Sequence, residues 1–164
     1  MASGRDYKKG DKAVYPAHGV GEVIDIQVRS LGGTERLFYV LSILENGMKV
    51  MVPVETAAQA GLRPVMSRKD AKKVMEVLAA DEVAVKTQPW NRRYREYMEM
   101  LKSGSPMEVA KVLRDLFRLK SEKDLSFGER RLLDTARALL VTELALAFKV
   151  KEQTIENQIQ ALFQ

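Results

Sequence analysis

The first third of the chain alternates short apolar runs with turn residues, a pattern typical of β-strands. β-Branched and aromatic residues fill the runs, and glycine, proline or asparagine follows them. The predicted strands are Lys12–Tyr15, Val20–Val28, Arg36–Leu44 and Lys49–Val54. Short strands joined by tight turns predict a meander of four or five strands that curls into a small barrel.

Two glycine-containing turns divide this region. Gly32-Gly33 separates the second strand from the third, and Asn46-Gly47 predicts a hairpin with a type I′ turn, which needs positive φ at both central residues. Pro53 has no N–H to donate, so it indicates an edge strand or a strand end. In the second strand, one alternating face is expected to carry Val20, Glu22, Ile24, Ile26 and Val28.

At Ser67 the hydrophobic period changes to the three- and four-residue spacing of helices. Ser67, Ser105 and Ser126 each precede a carboxylate by three residues, which is the pattern of a capped helix start. Asn91 is expected to cap another helix that ends near Lys102. A last helix is predicted over Lys151–Phe163.

These patterns together predict an α+β fold of two domains. Residues 1–66 form the small β-barrel, and residues 67–164 form an all-α domain of about five helices. The net charge is +5, and most of the excess lies in the second domain, which carries 19 basic and 15 acidic residues against 8 and 7 in the first. The second domain is therefore the better candidate for an anionic partner.

Composition and motifs argue against an enzyme. The chain has no cysteine and one histidine, His18, so no cysteine or histidine cluster can hold a metal, and no phosphate-binding loop motif occurs. Glu129 and Asp134 could do acid–base chemistry, but capping and salt bridges explain them better. We expect no cofactor, no signal peptide and no membrane-spanning segment.

A basic segment at residues 86–95 stands out. It contains Lys86, Arg92, Arg93 and Arg95 with no acidic residue, and it includes the only tryptophan, Trp90. Guanidinium groups suit phosphates, and an aromatic ring can stack on a base or wedge between base pairs. The same residues could equally be a solvated face beside a tryptophan that packs on its own domain.

Helical spacing predicts which residues in the second half of this segment are exposed and which are buried. Arg92 and Arg95 are expected to share one face. Tyr94, Met98 and Leu101 are expected to form a core stripe, which would leave the arginines exposed.

Several short sequence motifs, taken in their order along the chain, resemble those of the CarD/CdnL type of bacterial transcription regulator in its short, stand-alone form. The β region resembles the family in Gly10-Asp-Lys-Ala-Val-Tyr-Pro16, His18-Gly19 and Met51-Val-Pro53. The second region resembles it in Trp90-Asn-Arg-Arg-Tyr-Arg95, Val112-Leu-Arg-Asp-Leu116, Leu125-Ser-Phe-Gly-Glu-Arg130, Leu133, Ala136-Arg137 and Glu143-Leu-Ala-Leu-Ala147.

The resemblance implies a Tudor-like module that docks on the RNA polymerase β subunit, as a similar module does in the transcription-repair coupling factor. Its candidate contact residues are Arg29, Lys49, Met51 and Pro53. The resemblance also implies that the protein stabilises the promoter open complex. We expect a monomeric cytoplasmic protein that is associated with the nucleoid through polymerase.

In that interpretation the helical domain contacts promoter DNA at the upstream edge of the bubble. Trp90 would enter the minor groove, while Lys86, Arg92, Arg93 and Arg95 would hold nearby DNA. Three alternatives stay open: a stand-alone nucleic-acid-binding module, a hydrolase that uses Glu129 and Asp134, and a structural adaptor with Trp90 in its core.

Overall fold

The computed structural model describes residues 7–80 and 90–163, apart from the side chains of Leu31 and Trp90. The chain divides into two compact units, Met1–Val65 and Met66–Gln164. The division lies one residue before the predicted boundary, because Met66 belongs to the helical unit. Its backbone N–H donates to Glu143 Oε2 at 2.8 Å, and its side chain joins the helical core.

Over its described residues 7–65, the first unit forms an antiparallel sheet of five strands in the order β4-β3-β2-β1-β5. Its strands are β1 (Lys12–Tyr15), β2 (Gly19–Leu31), β3 (Thr34–Ile43), β4 (Lys49–Pro53) and β5 (Arg63–Pro64). The predicted small β module ahead of a helical domain is therefore confirmed.

The alternating face predicted for β2 is wrong beyond Glu22. The pairing with β3 shifts by one residue between Val23 and Asp25, which inserts Ile24 as a bulge. Val23 is consequently fully buried, while Ile24 is 38% exposed. A bulge adds one residue to one strand, so every later side chain of β2 changes face.

The two predicted turns differ in geometry. Gly32 and Gly33 both have positive φ, at 58° and 84°, as a two-residue hairpin turn requires. In the second hairpin only Gly47 has positive φ, at 71°, so the predicted type I′ turn is wrong. The loop is longer, and the Asn46 side chain stabilises it by accepting the Met48 N–H at 2.9 Å.

One face of the sheet packs on the small core of the module. Tyr39 and Leu41 of β3 alternate on this face with 1% and 0% exposure. The other members of this core are Ala13, Val23, Val52, Val54, Ala57 and Leu62. The residues between them in β3 and β4 therefore point to the opposite face.

The second unit has five helices within the described residues. They are α1 (Arg68–Ala79), α2 (Trp90–Lys102), α3 (Pro106–Glu122), α4 (Phe127–Phe148) and α5 (Glu152–Leu162). Ser67, Ser105 and Ser126 each accept the backbone N–H three residues on, so the three predicted caps are confirmed. Asn91 is not a cap, because α2 already begins at Trp90.

A single apolar core joins these helices. Ala110, Val112, Leu113 and Leu116 of α3 are fully buried at its centre, which places α3 among the other helices. α3 packs on α1, α2 and α4, and α5 packs on α4. Within residues 7–80 and 90–163, no helix is long and apolar enough to cross a membrane.

Candidate functional site

The four residues expected to contact polymerase lie on one face of the sheet. Lys49, Met51 and Pro53 alternate along β4, opposite Ser42, Val40 and Phe38 of β3. Arg29 of β2 pairs with Arg36, which belongs to the same alternating set of β3. We call the surface formed by Arg29, Phe38, Val40, Lys49, Met51 and Pro53 the outer sheet face.

Phe38 and Val40 were not among the candidate contact residues predicted from the sequence. They are the buried apolar residues of the outer sheet face. They are 9% and 8% exposed, whereas Met51 on the neighbouring strand is 39% exposed. Phe38 lies opposite Pro53, and Val40 lies opposite Met51. The alternation of β3 contains both residues, but only the pairing register shows that they lie beside β4.

A row of polar side chains along β2 borders the outer sheet face. The Lys9 ammonium lies 3.4 Å from Asp25, Gln27 donates to Asp25 at 2.9 Å, and Arg29 donates to Gln27 at 2.7 Å. The hydrogen bonds from Gln27 and from the Ile26 N–H, with the Lys9 charge, lower the pKa of Asp25 despite some opposing desolvation. Asp25 thus stays ionised and, through Gln27, helps to orient Arg29.

The edge position of β4 adds backbone groups to this surface. In the described part of the sheet, β4 pairs only with β3. Its other side leaves N–H and C=O groups that can pair with an extended segment of a partner. Pro53 limits such pairing at the end of the strand, because proline has no N–H.

The described part of the basic segment, residues 90–95, forms the start of α2. Trp90 is the first residue of the helix, its side chain lies outside the described structure, and so does Lys86 within residues 81–89. Arg92 and Arg95 are exposed, as the helical spacing predicted. They can therefore present two guanidinium groups to an anionic partner.

Arg93 differs from these two arginines. Its side chain is only 16% exposed, and its Nη2 lies 3.7 Å from Glu129 Oε2. Glu129, in the first turn of α4, is itself buried with 3% exposure. Arg93 therefore connects α2 to α4, a contact that residue spacing along α2 could not reveal.

The core stripe predicted for α2 was partly wrong. Leu101 is buried and Met98 packs against the core, but Tyr94 is 39% exposed and Tyr97 is 3% exposed. The Tyr97 hydroxyl donates to Asp115 of α3 at 3.5 Å. The ring that holds α2 on the domain is therefore Tyr97, and Tyr94 lies on the surface near Arg95.

Glu129, which was considered for acid–base chemistry, and His18 both have structural contacts. Burial raises the pKa of Glu129, but the Ser126 backbone N–H and hydroxyl, with Lys123 and Arg93, lower it to a net value below the ordinary range. A general acid would need the opposite shift. The His18 ring stacks on Tyr15, with ring centroids 5.4 Å apart. Among the described residues, no group of three or more His, Cys, Asp or Glu side chains could hold a metal ion.

Comparison with known proteins covers both units. Residues 7–66 match the family model described as "CarD-like/TRCF RID domain", and residues 73–160 match "CarD, C-terminal domain". The Bacillus subtilis (strain 168) protein named "Putative transcription factor YdeB" is 31% identical over 151 residues, which cover 92% of this chain and 98% of that protein. The solved structure of CdnLNt from Myxococcus xanthus is 48% identical, covers 41% of this chain and 92% of its own, and has a TM-score of 0.33.

Proposed function

Because this chain belongs to the CarD/CdnL family of transcription regulators, we propose that it docks on the β subunit of RNA polymerase and stabilises the promoter open complex. The observation that carries the proposal is the match of two successive family domains, one on each compact unit. In this proposal the protein acts as a monomer in the cytoplasm, associated with the nucleoid through polymerase.

The outer sheet face is the proposed contact with polymerase. It combines an apolar patch around Met51 and Pro53 with cations at Lys49 and Arg29, and it borders the edge strand β4. Apolar residues supply burial, while surrounding charges select the partner and speed association. The face thus has both elements that a specific interface of modest size needs.

The start of α2 is the proposed contact with DNA. Arg92 and Arg95 are exposed in its first two turns, and Trp90 is its first residue. Inserting an aromatic wedge into closed duplex costs a few kcal/mol of unstacking per step. At a bubble edge this stacking is already broken, so the wedge favours the open form, and only such differential affinity shifts the equilibrium.

The DNA contact is tested by open-complex lifetime after a competitor challenge. If the wedge favours the open form by about 1.4 kcal/mol, Trp90→Ala should shorten the lifetime about tenfold. Polymerase binding should not change, and Trp90→Phe should retain part of the effect because it keeps an aromatic ring. A normal lifetime for Trp90→Ala would exclude the wedge.

The polymerase contact is tested by binding to the isolated β subunit. Met51→Glu should weaken binding at least tenfold, because it places a charge on the apolar patch. Val28→Glu is the matched control, because Val28 is 56% exposed and lies opposite Leu37, whose side chain packs on the core of the module. Equal losses in both variants would contradict docking through the outer sheet face.

Binding to free DNA separates this proposal from a stand-alone nucleic-acid-binding module. A few basic contacts give a modest electrostatic term that falls steeply with salt. Docking on polymerase would instead supply a high effective concentration near the promoter. Tight promoter binding at physiological salt without polymerase would favour the stand-alone module.

A further inference from the structure

Glu129 is buried and is the centre of an ionic cluster that joins the start of α2 to the start of α4. Its Oε1 accepts the Ser126 N–H at 2.8 Å and lies 3.6 Å from Lys123 Nζ. Its Oε2 lies 3.7 Å from Arg93 Nη2. The Ser126 hydroxyl accepts the Glu129 N–H at 3.2 Å, which completes a reciprocal capping box. We call Arg93, Lys123, Ser126 and Glu129 the anchor cluster.

Capping alone does not account for the arginine in this cluster. A carboxylate at the third position of a helix satisfies the cap and favours the positive end of the helix dipole without a guanidinium. Once that carboxylate is buried, however, its charge must be compensated. Arg93 supplies part of this compensation from a helix that is separate in sequence, and this fixes its own helix against α4.

The position of Arg93 gives this contact its functional meaning. Arg93 comes three residues after Trp90, which is about one turn of helix. An attachment there restrains the backbone of the first turn of α2, which carries Trp90. Farther along, Tyr97 and Leu101 hold the middle and end of α2 on the core, so they restrain the first turn less directly.

The chain ahead of α2 is also fixed where it leaves α1. The last turn of α1 has no basic residue of its own. Instead, Arg114 Nη1 of α3 donates to the Val77 carbonyl at 3.2 Å, and Arg118 donates to the Ala80 carbonyl. Cations at the end of a helix stabilise its terminal carbonyls. Arginine contacts therefore hold both Ala80, the last described residue after α1, and the first turn of α2.

We propose that Glu129 is a positioning residue that sets the presentation of Trp90 to DNA, and that Arg93 acts through Glu129 and not on a phosphate. The inference rests on the proposed function, and it gives Arg93 a different task from Arg92 and Arg95. A phosphate contact would require Arg93 to leave a buried carboxylate, which would then lose one of its two cations.

The first test uses Glu129→Gln in the full-length protein. Glutamine keeps the size of the side chain and can still accept the Ser126 N–H, but it removes the charge that holds Arg93. Because Trp90 is the only tryptophan, its time-resolved fluorescence anisotropy reports directly on this segment. We expect a larger fast component of the anisotropy decay, an open-complex lifetime at least threefold shorter, and unchanged binding to polymerase.

Glu156→Gln is the matched control. Glu156 Oε1 of α5 lies 3.6 Å from Arg137 Nε of α4, so this substitution also removes an ion pair between two helices. That pair does not involve α2. The control should leave both the Trp90 anisotropy and the open-complex lifetime unchanged, and equal effects in the two variants would overturn the proposal.

The second test combines Arg93→Met with Glu129→Gln. If Arg93 acts through Glu129, the double variant should shorten the open-complex lifetime no more than the stronger single variant does. The salt dependence of the lifetime should also be the same as in the wild type. Additive losses, with a salt slope reduced by about one, would show a direct phosphate contact and overturn the proposal.

Trp90→Ala separates this inference from the proposed function. If Trp90→Ala shortens the lifetime and Glu129→Gln does not, the positioning role is wrong and the proposed function stands. If Trp90→Ala has no effect, the wedge is excluded, and the positioning role falls with it because Trp90 then has no DNA contact to present. A circular-dichroism melt of each variant checks that the helical unit is folded.

Discussion

The two compact units should unfold independently, and a cavity in the helical core tests this. Leu116 lies in the centre of α3 and is 0% exposed. Leu116→Ala removes three buried carbon atoms from a core that relaxes only partly, which costs about 3 to 4 kcal/mol. The core of the β module shares no residue with the core around Leu116. The substitution should therefore lower the free energy of unfolding of the helical unit and leave that of the β module unchanged.

Native-state hydrogen exchange measures both units in one sample. Amides in α3 and α4 that exchange by unfolding of the helical unit should exchange about 10²- to 10³-fold faster, because each 1.4 kcal/mol is a factor of ten. Amides of the β2–β3 ladder should keep the wild-type rate. A proportional acceleration in β2 and β3 would refute independent unfolding.

Val52→Ala provides the reciprocal experiment. Val52 is 0% exposed in the core of the β module. Two lost carbon atoms and the resulting cavity should cost about 2 kcal/mol, so the β2–β3 amides should exchange roughly 30-fold faster. Slower or unchanged amide exchange in the β module would contradict the core position of Val52. Faster amide exchange in α3 would contradict independent unfolding of the two units.

Three further predictions concern local geometry and charge. Gly61→Ala should destabilise the β module by at least about 2 kcal/mol, because Gly61 has φ of 96° and a Cβ would lie 2.5 Å from Pro16 Cγ. Gly33 also has positive φ, but a Cβ there would meet open space. Gly33→Ala should therefore lower the free energy of unfolding by only about 1 kcal/mol. Urea titration measures the stability of both glycine variants. Ser126→Ala should remove about 1 kcal/mol from the helical unit, measured as a thermal shift of about 5 °C. Acid should weaken the wild type more than Glu129→Gln. Because the pKa of Glu129 is lowered in the folded state, its contribution is complete above about pH 5 and is lost as pH falls through the folded pKa.

Each of these predictions has a contrary outcome. Equal costs at Gly61 and Gly33 would mean that the contact with Pro16 relaxes freely. An unchanged melting temperature for Ser126→Ala would mean that water replaces the hydroxyl at no cost. Parallel acid titrations of the wild type and Glu129→Gln would show that Glu129 has the same pKa in the folded and unfolded chains.

The helix starts could be predicted because their causes are local. Ser67, Ser105 and Ser126 each bond to a backbone N–H three residues away, so a short stretch of sequence contains both partners. The cap expected at Asn91 was wrong because the helix begins before this residue. Trp90 already adopts helical geometry, so an asparagine at the second position of the helix has no cap to make.

Strand positions were predictable, but the faces of β2 were not. The bulge at Ile24 depends on how β2 pairs with β3, which lies about 17 residues farther along the chain. Without this register, simple alternation places Ile24 on one face with Val20, Glu22, Ile26 and Val28. The same register decides that Phe38 and Val40 lie opposite Pro53 and Met51 on the neighbouring strand.

By itself, the sequence determined the change from strand to helix near residue 66, three of the caps and the exposure of Arg92 and Arg95. These features depend on hydrophobic period and on bonds within one turn. Only the tertiary structure decided that Arg93 pairs with Glu129 and that Tyr97, not Tyr94, holds α2 on the core. Both contacts join helices that are far apart in sequence. Which residues meet there depends on how the helices pack, and no local sequence pattern predicts that packing.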